Sequence, residues 1–107
     1  MSEFIIEEFK KYKVFLYGSK VTDNAVNTIQ LHLPSGTAHL KFCTGRLKKH
    51  RFTKVGKKYN FQVYYAADRY PTFIDLIRNE KPLYFYFNLE NATSYITTSD
   101  EPVGEGE

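Results

Sequence analysis

Residues 59–88, YNFQVYYAADRYPTFIDLIRNEKPLYFYFN, read as strand, short helix, strand. Tyr59, Phe61, Val63 and Tyr65 alternate with Asn60, Gln62, Tyr64 and Ala66. That period of two puts one set on each face of a sheet. Further on, Leu83, Phe85, Phe87 and Leu89 alternate with Tyr84, Tyr86 and Asn88. The first set on each strand is the natural core face, and the second turns Tyr64, Tyr84 and Tyr86 outward. Between them a helix is expected over about 70–79. Pro71 suits its first turn, where a missing N–H has no partner to lose. Tyr70, Phe73, Ile74 and Ile77 form the i, i+3, i+4, i+7 stripe of a buried face. Asn79 in the left-handed conformation would end it, and Pro82 blocks continuation. So short a helix is not stable alone and must pack on a sheet.

Upstream, residues 3–11 fit either a short helix or a strand, and a strand or irregular lead-in is expected because strand character continues beyond. Tyr12–Val21 reads as a strand with a bulge at Gly18, and Thr22-Asp23-Asn24 as a turn. Val26–Leu33 and Ala38–Cys43 form a hairpin around Pro34-Ser35-Gly36-Thr37. Pairing Leu33 with Ala38 sets Leu31 against Leu40 and Ile29 against Phe42, three apolar pairs on one face. The same register sets His32 opposite His39 and Gln30 opposite Lys41. Residues 44–58 form a long connection with room for a short strand around Phe52, since a structureless loop of that length is uncommon. The last strand is expected at Thr93–Thr98.

The expectation is a β-rich α+β domain over residues 1–98, with about six strands and the helix between the fourth and fifth. A small antiparallel barrel or a strongly curved sheet satisfies that order. The element order over about residues 12–98 resembles an OB-fold, in which a meander, a plugging helix and a closing hairpin follow in turn. The outline also resembles the curved-sheet single-strand-binding proteins found among transcriptional coactivators. The resemblance rests on element order, not on a sequence motif. Likeness of fold does not establish function, which has to be argued from the site.

At 107 residues the chain suits one domain. Apolar residues make up 42% and charged residues 25%, as in ordinary globular proteins. Nine Phe and nine Tyr favour strands. Cys43 is the single cysteine, which excludes an intramolecular disulfide and a thiolate zinc cluster. The acidic start, with Glu3, Glu7 and Glu8, is unlike a signal peptide, and no apolar run is long enough to span a bilayer. These features suggest a cytoplasmic protein with no membrane partner.

The net charge of +3 conceals a segregation. Residues 99–107 hold Asp100, Glu101, Glu105 and Glu107 and read as a disordered acidic tail, either solubilising or competing for the chain's own basic surface. Residues 1–98 hold 15 bases against 8 acids, a net of +7. Between Asp23 and Asp68 there are eight bases and no acid. Such a field attracts polyanions.

The candidate site follows from that charge and the outward rings. Arg46, Lys48, Lys49, Arg51, Lys54, Lys57 and Lys58 would hold a phosphate backbone. Phe52, Tyr64, Tyr84 and Tyr86 would offer stacking surfaces, with Tyr84 and Tyr86 about 7 Å apart along one strand. The partner would be single-stranded DNA or RNA, or another polyanion. The competing expectation is a protein-interaction or self-associating module, an accessory or inhibitor-like protein. It would use the tyrosine face against a second copy or an acidic protein. His32 and His39 amount to two ligands and no metal site. No phosphate-binding glycine loop, nucleophile elbow or His-Glu-x-x-His is present, so neither an enzyme nor a cofactor is expected.

Overall fold

Lys10 is the single residue between two strands that belong to different sheets. In the computed structural model, which describes residues 3–19 and 22–99, β1 (Phe4–Phe9) pairs antiparallel with β7 (Leu83–Asn88). β2 (Lys11–Leu16) pairs antiparallel with β3 (Ala25–Leu33). The segment left open between helix and strand is therefore β1, and the chain bends at Lys10 to serve both sheets. β8 (Ser94–Thr98) completes a three-stranded sheet of order β1-β7-β8, sheet A. β4 (Gly36–Cys43), β5 (Arg51–Val55) and β6 (Lys58–Ala66) complete a five-stranded sheet of order β2-β3-β4-β6-β5, sheet B.

Three expectations are corrected. Eight strands are present rather than six, because Phe4–Phe9 and Arg51–Val55 are both strands, and the helix consequently falls between the sixth and seventh. Sheet B is mixed: β4 and β6 run parallel. The reason is β5, which forms a hairpin with β6 and occupies the outer edge, so the 44–50 connection must carry the chain across. The sheets are also not closed into a barrel, since β5 and β8 each end a sheet.

The β3–β4 hairpin keeps its predicted faces but not its register. Leu33 pairs with Gly36, Leu31 with Ala38 and Ile29 with Leu40. The turn is Pro34-Ser35, two residues instead of four, and a shift of two preserves parity. His32 therefore faces Thr37, and His39 faces Gln30, so the histidines are not a cross-strand pair. Gly36 permits the tighter turn. Ser35 C=O accepts a bond from Tyr59 N–H at 2.8 Å, drawing β6 against the hairpin. The strand expected to run to Val21 ends at Leu16. Its last two positions, and the acidic tail beyond Ser99, lie outside the described residues.

The inner faces of the two sheets meet over phenylalanines. Phe61 lies 5.2 Å from Phe85 and 4.8 Å from Phe87, ring centre to ring centre, and Phe52 lies 5.7 Å from Phe87. Ile29, Leu31, Leu40 and Val63 are fully buried beside them. Each such side chain contributes about 1.5–3 kcal/mol through burial. Helix α1 (Tyr70–Asn79) closes one end, with Tyr70 and Phe73 edge-on to Phe42 at 5.3 and 5.2 Å. It does not end in a left-handed Asn79. Instead the Asn79 amide donates back to the Asp75 carbonyl at 2.8 Å, and Glu80 turns extended with φ −114°. No helix among the described residues is long and apolar enough to cross a membrane.

Candidate functional site

Sheet B presents a polar outer face whose rows follow from strand register. One row runs Lys11, His32, Thr37, Asn60, Thr53. The next runs Lys13, Gln30, His39, Gln62, Arg51, and a third runs Phe15, Thr28, Lys41, Tyr64. Parity adds Lys58 to the same face of β6. Phe15 and Tyr17 stand parallel at 6.4 Å over the edge of the face. The Tyr17 hydroxyl donates to Thr28 Oγ1 at 3.0 Å, and the Lys13 ammonium sits 5.2 Å from the Phe15 ring centre.

Among the described residues one carboxylate intrudes on this face, and it is already paired. Asp23 Oδ2 lies 3.3 Å from Lys41 Nζ and accepts from the Tyr64 hydroxyl at 3.3 Å, while Oδ1 pairs with Lys48. The Lys48 ammonium, and then Lys41, pull its pKa from 3.8 to about 2 against the opposing effect of burial. Asp23 reaches this position from a tight turn in which it and Asn24 adopt φ 65° and 57°. It thereby pins the 44–50 connection to the sheet. His50 does the same from the other side. Its Nδ1, on the residue just before β5 begins, accepts the Tyr64 backbone N–H at 3.0 Å. The imidazole must be neutral to accept, and burial lowers its pKa accordingly.

Tyr64 is consequently only 2% exposed. Its ring lies under Lys41, parallel to His50 at 6.5 Å, and burial followed by Asp23 raises its hydroxyl pKa. It has no open face for stacking. Phe52 points inward, against Tyr59, Phe61 and Phe87. Lys54 shares that inner side at the rim, 5.0 Å from the Tyr59 ring centre. Arg46, Lys48 and Lys49 lie exposed on the 44–50 connection, and Lys57 in the exposed β5–β6 turn. Of the bases anticipated on 44–58, Arg51 and Lys58 therefore belong to the outer face of sheet B itself.

Tyr84 and Tyr86 lie elsewhere. They occupy the outer face of sheet A, and the two sheets meet through their inner faces, so these rings point away from Arg51 and Lys58. Tyr86 stacks on Tyr95 at 4.4 Å and on Phe4 at 5.6 Å. No single groove joins the tyrosines to the basic strands. The bases that sequence reasoning missed are Lys11, Lys13 and Lys41, with the rings Phe15 and Tyr17. The alternation Lys11, Lys13, Phe15 was visible, but its side of the sheet depended on knowing that Tyr12 pairs with Leu31.

Among the described residues no group of three or more His, Cys, Asp or Glu is placed to hold a metal. Cys43 is buried beside Ala25 and Tyr64, and burial raises its thiol pKa. No protein-family model, curated protein or solved structure matches the chain.

Proposed function

We propose that the outer face of sheet B binds an extended polyanion, and that single-stranded nucleic acid is the ligand its chemistry fits best. One observation carries this reading: Lys11, Lys13, Arg51 and Lys58 share a five-stranded face on which, among the described residues, the one carboxylate is Asp23, spent on ion pairs with Lys41 and Lys48. Cations without competing carboxylates release counterions from phosphates on binding. Gln30, Asn60 and Gln62 add amide groups between them, and the Phe15–Tyr17 pair offers rings at one margin for stacking. We also read the curled sheet as OB-like, left open between β5 and β8, with β3 and β4 where such folds bind oligonucleotides. The protein then needs no cofactor and no catalytic group, and a cytoplasmic setting suits such a ligand.

Fluorescence anisotropy with a labelled single-stranded oligonucleotide at low salt tests the proposal. Binding should weaken about tenfold or more in Lys11→Ala/Lys13→Ala/Arg51→Ala, as expected when several phosphate contacts go. It should be unchanged in Tyr86→Leu, on the opposite surface. No binding, or no response to the triple substitution, overturns the reading. Equal affinity for heparin reduces it to unselective polyanion attraction.

A further inference from the structure

Sheet A carries a surface with a different chemistry. β1, β7 and β8 contain no lysine or arginine, whereas the strand-borne bases all lie on sheet B. The outer side of sheet A is a ladder of rings, Phe4 on Tyr86 on Tyr95, beside Ile6. Phe4, Ile6 and Tyr95 remain 53%, 49% and 44% exposed. Contiguous exposed apolar groups of this kind mark interaction surfaces.

The ladder ends at an unprotected edge. Among the described residues β8 pairs with β7 alone. Its sequence, Ser94-Tyr95-Ile96-Thr97-Thr98, has no charge, proline or glycine. Free edges are ordinarily blunted by charge, proline or a bulge. The other edge strands follow that practice: β1 carries Glu7 and Glu8, β2 carries Lys11 and Lys13, and β5 carries Arg51 and Lys54. β8 uses none of these devices, and no described segment pairs with its outward N–H and C=O groups.

We infer that the occupant is a second copy of this chain, with β8 pairing antiparallel to β8 of the partner about a two-fold axis near Ile96. The strand is suited to itself. In that register Ile96 meets Ile96 of the partner subunit, and Tyr95 meets Thr97 of the partner subunit. Such an isologous contact closes at two copies. Charge argues for the same occupant. An acidic partner is drawn to sheet B, and two basic chains repel least where neither carries a base. The joined sheet extends the aromatic ladder across the axis and leaves both basic faces free.

Sedimentation velocity without nucleic acid tests this independently of polyanion binding. The wild type should show a monomer–dimer equilibrium between low and high micromolar concentration. Tyr95→Lys and Thr97→Lys, which place charge on the edge, should weaken association by about tenfold or more while circular dichroism stays native. Should either variant misfold, hydrogen exchange in the wild type decides, because the β8 amides should slow as concentration rises. A single monomeric species throughout overturns the inference, as does a dimer that folded variants leave intact. Exchange at β8 that ignores concentration also overturns it.

Discussion

Gly36 shows how one position sets the register of sheet B. Its φ is 153°, and a Cβ built on it would lie 1.9 Å from the Tyr59 carbonyl oxygen. That oxygen belongs to β6, which approaches because β4 and β6 run parallel from this point. Gly36→Ala should therefore cost at least about 2 kcal/mol, combining backbone strain with a clash against main chain. Gly18→Ala, which meets nothing within 4 Å, should change stability by less than about 0.5 kcal/mol. Urea denaturation of the two variants measures both. The same scale explains Tyr64. Alternation correctly put it on the face opposite Phe61, but burial depended on Asp23 and His50, which lie 41 and 14 residues away in sequence. Periodicity reports a side, not what covers it.

The elements divide by the range of their interactions. The strand at 59–66 and the helix stripe were legible because each pattern is local to a few residues. β5 was visible only as a short strand expected near Phe52, and its neighbours were not. The bend at Lys10 left no mark, since β1 and β2 each obey their own alternation and nothing local says they serve different sheets. The 44–50 connection, part of the stretch 44–58 read as a basic loop, is held by Asp23 through Lys48 and by the Tyr64 N–H through His50. Losing the His50 acceptor strands the Tyr64 N–H, so His50→Ala should cost about 1 kcal/mol at pH 8. The pH dependence follows from the neutral imidazole. Its folded pKa is lowered from 6.5, so the unfolded chain binds the proton more readily. The stabilisation is complete above pH 6.5 and is lost as pH falls through the lowered value. His39, lowered by burial and then by Lys41, acts in the same direction. Asp23 keeps its charge until about pH 2, so it does not contribute in this range. Melting temperature should therefore drop between pH 7 and pH 5. The drop should shrink in His50→Gln, and a profile unaltered by that substitution would show that another group titrates.

At the scale of the whole molecule, charge and aromatic surface are sorted onto opposite sides of one sandwich. A ligand of sheet B meets cations with few rings, and a partner of sheet A meets rings without cations. Polyanion affinity should then fall steeply with salt. Four or five neutralised phosphates imply a slope near −3 in log affinity against log salt for a single strand, at about −0.7 per contact. Titrations at several salt concentrations measure it. A slope near zero would mean that rings, not the lysines of sheet B, carry the binding.

Sequence alone specified the strands at 26–33, 38–43, 59–66 and 83–88, the helix at 70–79, and which side of those strands faces the core. Those properties depend on periodicity within a single element. It also specified that bases and acids are segregated along the chain, because counting charge needs no geometry. It took the packing of distant segments to show that β4 and β6 run parallel, that Tyr64 and Phe52 are covered, and that Tyr84 and Tyr86 stand opposite Arg51 and Lys58. Each of those facts depends on how distant segments pair. A pairing shifted by two residues leaves every alternation intact, while moving the neighbours that define a site.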